Sequence, residues 1–141
     1  MIKEKGILMN VTNEDIKLLK ESPDKFWEGV TEIGPFAFAM FVGPATLKSL
    51  EVPSSVKKIE SRGFAGTYLE NLVLHGVEEI CDYAFFDSRD LKTIYIPENL
   101  KDVIKINKKA FIFSNNNIEI KTIKTNKTIK MIQNEDDLVR W

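Results

Sequence analysis

The sequence predicts a solenoid of stacked repeats, with a main parallel sheet of about four strands, a helical N-terminal end and a β-structured C-terminal end. Three observations predict it. A short pattern, V-x-x-I-x-x-x-[AG]-F, occurs four times; an L-x-x-L-x-L segment follows each copy; and the two chain ends carry different patterns from the middle. Regular self-similarity at a period of twenty-odd residues is the mark of a repeat architecture and outranks any reading made element by element.

The four copies are Val30, Ile33, Ala37, Phe38; Val56, Ile59, Gly63, Phe64; Val77, Ile80, Ala84, Phe85; and Val103, Ile106, Ala110, Phe111. Their isoleucines stand 26, 21 and 26 residues apart. The segments that follow are Leu47, Leu50, Val52; Leu69, Leu72, Leu74; Leu91, Ile94, Ile96; and a degraded fourth, in which Asn115 precedes Ile118 and Ile120. A unit this short cannot close a core alone, so equivalent apolar positions must stack into continuous buried columns. The last two apolar positions of each L-x-x-L-x-L alternate as one face of a strand does. Pro53 and Pro97 stand just past two of the strands, where a missing N–H does least harm.

Residues 1–29 are expected to form a helical N-terminal cap, residues 30–120 four repeats, and residues 121–141 a β cap with a polar tail, all in one domain. Thr12-Asn13-Glu14-Asp15 has helix-start chemistry, Ile16, Leu18 and Leu19 give an apolar stripe, and Ser22-Pro23 stops the helix. Phe26 and Trp27 are expected to plug the first repeat. Toward the other end, Ile118, Ile120, Ile123, Ile129 and Ile132 alternate with Lys and Thr around a turn at 125–128, as in two or three strands.

The combined pattern, L-x-x-L-x-L-P followed by V-x-x-I and then A-F, resembles the BspA-type leucine-rich repeat over roughly residues 30–120. That resemblance implies a right-handed solenoid of the α/β horseshoe class, mostly β here, and in many relatives a surface-exposed adhesin or ligand-binding role. The chain departs from the pattern in its few repeats, an insertion at 39–46, about three extra residues at 100–102, and the lack of a secretion signal.

Function classes are narrowed by composition. The net charge of −1 gives no general pull toward nucleic acid or anionic membrane. Residues 100–132 nevertheless hold eight Lys/Arg against two Asp/Glu, a surplus of six in an otherwise acidic chain. Lys121, Lys124, Lys127 and Lys130 are read as blunting an exposed sheet edge, with a weak nucleic-acid contact as the lesser alternative, since no aromatics interleave them. One cysteine, Cys81, excludes an internal disulfide and is expected to be a buried, inert thiol. No apolar run approaches a membrane span, and the N-terminal apolar stretch is too short for a secretory signal. The expected location is cytoplasmic, or the cell surface if an upstream segment has been removed.

No catalytic, metal or cofactor motif is present. The single histidine, His75, has no nucleophile beside it in sequence, and no CxxC, HxxxH or Gly-rich phosphate loop occurs. The expectation is a non-enzymatic module that binds a protein partner of unknown identity through its concave face. Stacking the units places Ser49, Asn71, Thr93 and Asn117 in one outward column and Glu51, Val73, Tyr95 and Glu119 in a second. A third holds Pro53, His75, Pro97 and Lys121. Val73 and Tyr95 are expected side by side as an exposed apolar pair in a polar rim. The alternatives are a structural or decaying repeat protein without a dedicated partner, and a symmetric homodimer through the same face. On the opposite side, Glu32, Lys58, Glu79 and Lys105 are expected to form a ladder of alternating charge that fixes register.

Overall fold

The structure, a computed structural model, describes residues 1–39, 47–115, 117–123 and the backbone of 138–140. Its elements in chain order are β1 (Ile2–Glu4), β2 (Ile7–Met9), α1 (Asn13–Glu21), α2 (Pro23–Trp27), β3 (Glu32–Ile33), β4 (Ser49–Val52) and β5 (Lys58–Ile59). There follow β6 (Asn71–Leu74), β7 (Glu79–Ile80), β8 (Thr93–Pro97), a 3-10 turn at Glu98–Leu100, β9 (Lys105–Ile106), β10 (Glu119–Ile123) and β11 (Leu138–Arg140). Each V-x-x-I segment gives a two-residue strand to one sheet, ordered β1-β2-β3-β5-β7-β9. Each L-x-x-L-x-L segment gives a longer strand to the other, ordered β11-β10-β8-β6-β4. Pairing is parallel throughout, except for β1 with β2 and β10 with β11.

The core lies between the sheets. Val30, Val56 and Val77 are buried, as are Ile33, Ile59 and Ile80, and Leu72, Leu74, Ile94 and Ile96 meet them from the longer strands. The phenylalanines of the A-F pairs stack one above another. Phe38, Phe64, Phe85 and Phe111 have ring centroids 5.0, 5.3 and 5.2 Å apart and planes within 4°, 8° and 11° of parallel. That spacing is near the ~4.8 Å between neighbouring strands, so one repeat distance governs rings and backbone alike. The turns carrying these rings are hydrogen-bonded in register: the Phe38, Phe64 and Phe85 amides donate to the carbonyls of Gly63, Ala84 and Ala110. Only a small residue fits before each ring. At Gly63 an added Cβ would press on the Ile33 and Ile59 side chains at 3.2 Å.

Buried hydroxyls tie the units further. Ser88, fully buried, donates to the Phe64 carbonyl at 2.6 Å, and Ser114, 26 residues on, donates to the Phe85 carbonyl. Each satisfies a backbone oxygen that would otherwise be stranded in the core.

At the N-terminal side, α1 begins as expected. Thr12 and Asp15 form a reciprocal capping box, with the Thr12 amide donating to Asp15 at 2.8 Å. Ser22-Pro23 ends α1, and Pro23 then opens α2, where its missing N–H is harmless. Ile16, Leu19, Phe26 and Trp27 join the core, and Trp27 packs edge-on against Phe26 at 4.9 Å. The purely helical expectation for residues 1–29 needs correction, because residues 2–9 form a β-hairpin. Its turn residues, Lys5 and Gly6, both have positive φ (53° and 81°), as a tight primed turn requires. Leu8 is fully buried, and β2 continues the short-strand sheet beside β3.

The charge ladder forms in the expected register, with Glu32 opposite Lys58, Lys58 opposite Glu79 and Glu79 opposite Lys105. The closest ion pair of Lys58 is with Glu60 on its own strand, at 3.3 Å. That pair and the neighbouring Glu79 raise the Lys58 pKa above its ordinary value. A second column of this kind was not foreseen. Lys48, Glu70 and Lys92 precede successive long strands, and Lys92 pairs with Glu70 at 3.0 Å. The Lys92 ammonium, with help from Lys48, holds the Glu70 carboxyl below the usual carboxylate range.

The fourth unit departs from expectation. Val103 is 51% exposed, unlike its three buried counterparts, and Ile104 packs against the core instead. The extra residues before it form the 3-10 turn and displace the valine. At the C-terminus, Leu138–Arg140 is a strand antiparallel to β10 and not part of a polar tail. The expected turn at 125–128, with Ile129 and Ile132, lies outside the described residues.

Two outcomes follow. Phe64→Ala removes the middle of the ring stack and is expected to lower stability by about 3–5 kcal/mol, read as a lower midpoint in urea denaturation. In an NMR pH titration, Lys92→Met is expected to return the Glu70 carboxyl toward its ordinary pKa, with the native protein titrating lower.

Candidate functional site

The outward face of the long-strand sheet is built by the strand period: residues alternating with the buried Leu50, Leu72, Ile94 and their neighbours point away from the core. Three strands follow the expected register. Ser49 lies beside Asn71 and Asn71 beside Thr93; Glu51 lies beside Val73 and Val73 beside Tyr95. The fourth strand is shifted by two residues. Thr93 is opposite Glu119, Tyr95 opposite Lys121 and Pro97 opposite Ile123. Asn117 therefore lies before the strand and outside the first column. Glu119 moves into that column, and Lys121 takes the place beside Tyr95.

The physical reason is that Ile120, not Ile118, seats beside Ile94 in the core. Asn115 stays aligned with the previous unit, its side-chain amide donating to the Leu91 carbonyl at 3.3 Å, and the two surplus residues fall between it and β10. A signal for this was present in the sequence. The interval from the short-strand isoleucine to the first inward residue of the long strand is 13 residues at Ile59–Leu72 and 14 at Ile80–Ile94, and 14 again at Ile106–Ile120.

A second correction concerns Val73. It is only 1% exposed, so it is not half of an exposed apolar pair. It sits between the longer Glu51 and Tyr95, and the Glu51–His75 hydrogen bond (Oε1 to Nε2, 2.8 Å) bridges the strands next to it. Tyr95 remains half-exposed. On its far side Lys121 is mostly covered and pairs with Glu119 at 3.6 Å, so the lysine stem lies along the sheet while its head meets a carboxylate. The face thus runs from an acidic edge at Glu51, over Tyr95, to a mixed pair at Glu119 and Lys121.

Beyond the acidic edge the sheet meets α2 across a cleft of about 440 Å³. Asp24, Trp27 and Glu28 line one wall, and Glu51, Pro53 and His75 the other. Sequence reasoning placed Glu51 and His75 on the surface but missed their bond and the cleft, because the two walls are some fifty residues apart in the chain. Ser55 also lines the cleft, yet among the described residues no hydrogen bond joins it to His75. The Glu51–His75 dyad thus engages no nucleophile.

Elsewhere, Cys81 is half-buried rather than buried. Desolvation, reinforced by Glu60, pushes its thiol pKa up, which disfavours the reactive thiolate. Among the described residues no group of three His, Cys, Asp or Glu side chains is placed to hold a metal ion, and no helix is long and apolar enough to cross a membrane. Lys124, Lys127 and Lys130 lie outside the described residues.

A family model for the BspA type leucine rich repeat region, in six copies, matches residues 24–135. The chain belongs to that family. The matched span reaches beyond the four units read from the sequence at both ends. No curated protein and no solved structure matches the chain.

The register of the last strand is open to direct test. In a Cys81→Ser background, Tyr95→Cys with Lys121→Cys should form a disulfide on mild oxidation, since directly opposed residues have Cβ atoms about 4.5–5.5 Å apart. Tyr95→Cys with Glu119→Cys, a diagonal pair, should form little or none, as read on non-reducing gels.

Proposed function

We propose that this member of the BspA-type leucine-rich-repeat family is a non-enzymatic protein-interaction module whose partner lies along the outward face of the long-strand sheet. Repeats of this family generally mediate protein–protein contacts, and stacked repeats present one continuous face on which side chains from several units act together. One observation carries the assignment to this face. Tyr95 is a half-exposed aromatic held between Val73 and Lys121 at the middle of the sheet, with the polar residues Asn71, Thr93 and Glu119 in the adjoining column. An aromatic fixed by its neighbours in a polar surround offers contact area at low entropic cost.

On this reading the chain is one right-handed solenoid domain. The hairpin and helices of residues 1–29 close one end, and the strands after residue 120 close the other. The partner contacts Ser49, Glu51, Asn71, Thr93, His75, Tyr95 and Glu119, with Lys121 replacing Asn117 from the sequence expectation. Val73 supports this surface from below. The non-enzymatic reading rests on the unengaged Glu51–His75 dyad and on the thiol of Cys81 being held protonated.

The test separates contact from support. A photoreactive amino acid at position 95 is expected to cross-link a defined partner, and one at exposed Glu78 on the short-strand side is not. Tyr95→Ala should leave the thermal midpoint within about 2 °C of native, a surface-level change, yet abolish partner retention. Val73→Ser is expected instead to destabilise by about 1–3 kcal/mol, through a hydroxyl placed at a buried site. Equal cross-linking at positions 95 and 78, or full retention by Tyr95→Ala, would refute the assignment.

A further inference from the structure

We propose that the cleft between α2 and the long-strand sheet receives a cationic side chain of the partner, an arginine in preference to a lysine. This rests on the reading that the partner lies on that sheet, and it adds what the partner must present. The cleft opens at the Glu51 edge of the same face, so a chain laid across Tyr95 and Val73 toward β4 arrives at its mouth.

Charge and shape select the occupant. Three carboxylates, from Asp24, Glu28 and Glu51, line the cleft, and no lysine or arginine does. Among the described residues neither Asp24 nor Glu28 has an ion pair, and Glu51 commits only Oε1, to His75. Lys3, the lysine that reaches α2, donates to the carbonyls of Lys25 and Glu28, at 3.0 Å each, and not to a carboxylate. Unneutralised carboxylates around a concave site focus a negative potential into it.

A bare metal ion does not suit the cleft, because the acidic groups do not converge into any three-ligand set. At about 440 Å³ the space is of the size that holds an organic group. Its remaining walls, Trp27 and Pro53, are apolar and match the methylene stem that arginine and lysine lay along such surfaces. A planar guanidinium has five donors in a fixed fork and reaches carboxylates on both walls at once, whereas an ammonium acts as a point charge. Within this arrangement Glu51 is a joint, bonded to His75 on the sheet and facing the cleft.

The probe is a capped tripeptide, acetyl-Gly-Arg-Gly-amide, titrated into the full-length ¹⁵N-labelled chain. Its isostere with citrulline in place of arginine keeps the shape and removes the charge. The expected result is a set of shifts confined to the Gly29 amide, the Trp27 indole N–H and the His75 surroundings, with affinity for arginine at least about tenfold above citrulline. Asp24→Asn, on the surface of α2, should weaken arginine binding severalfold, as should Glu51→Gln. Asp24→Asn keeps the test independent of any effect of Glu51→Gln on the sheet, and unchanged spectral dispersion confirms that each variant is folded. Shifts equal for arginine and citrulline, shifts scattered over other surfaces, or no shifts would overturn the proposal. If the arginine response fails while Tyr95→Ala still releases the partner, the cleft falls and the sheet assignment stands. If Tyr95→Ala retains the partner while arginine still binds the cleft, the sheet assignment falls instead.

Discussion

Vertical register is the constraint on which the rest of this molecule depends. No unit closes a core or satisfies its own backbone; each does so only when the next lies on it at one strand spacing. The same distance therefore has to serve three materials at once: strand hydrogen bonds on two sides, the turn amides on a third, and the phenyl rings inside. The stack of Phe38, Phe64, Phe85 and Phe111 meets this requirement with centroid steps of 5.0–5.3 Å. The turns pay for it in backbone strain. Phe36, Arg62 and Tyr83, one per unit before the small residue, have φ of 59°, 64° and 59°, a conformation costing non-glycine residues about 1–2 kcal/mol. It persists because each of these turns donates its amide to the next unit, Phe36 to Arg62, Arg62 to Tyr83 and Tyr83 to Lys109. Contact between the exposed side chains helps, with the Arg62 guanidinium 4.9 Å over the Tyr83 ring.

Because register repeats, most of the fold was legible in the sequence. The V-x-x-I and L-x-x-L-x-L spacings named the inward residues of both sheets, and alignment of the copies placed Glu32, Lys58, Glu79 and Lys105 side by side. Legibility failed where the period is interrupted. The surplus residues near 100 and 117 have no counterpart in the other units. Choosing the nearest apolar residue, Ile118, put the last strand two positions out, although the interval from Ile106 favoured Ile120. The N-terminal hairpin was missed for a different reason. Its strands are three residues each, too short for alternation to register against the helical pattern that follows, and the Lys5-Gly6 turn is its main signal.

The candidate surface was less legible than the core, and the reason is physical. Burial of an inward residue follows from its own apolarity and its place in the period. Exposure of an outward one depends on how long its neighbours are and where they turn. Val73 has the strand parity of a surface residue, yet Glu51, Tyr95 and the Glu51–His75 bond close over it. No property of Val73 itself announces this. The cleft is further from view, since α2 belongs to no repeat and its position against β4 and β6 is set by the packing of Phe26 and Trp27 onto the first phenylalanine of the stack, Phe38, each at 6.2 Å.

That last linkage joins the core to the surface chemistry. Trp27 belongs to the buried cluster, packing on Phe26 and Phe38, and also lines the cleft with its neighbours Asp24 and Glu28. The acidic wall is thereby fixed relative to the sheet by the same ring stacking that sets the vertical register. Glu51 is fixed from the other side, by the ladder beside Val73 and by His75. Two walls from unrelated parts of the chain are thus held by packing rather than by a loop, which limits the side-chain ordering that a bound cation would have to impose. The repeats act here as a rigid ruler against which one non-repeating helix sets the only strongly acidic concavity found among the described residues.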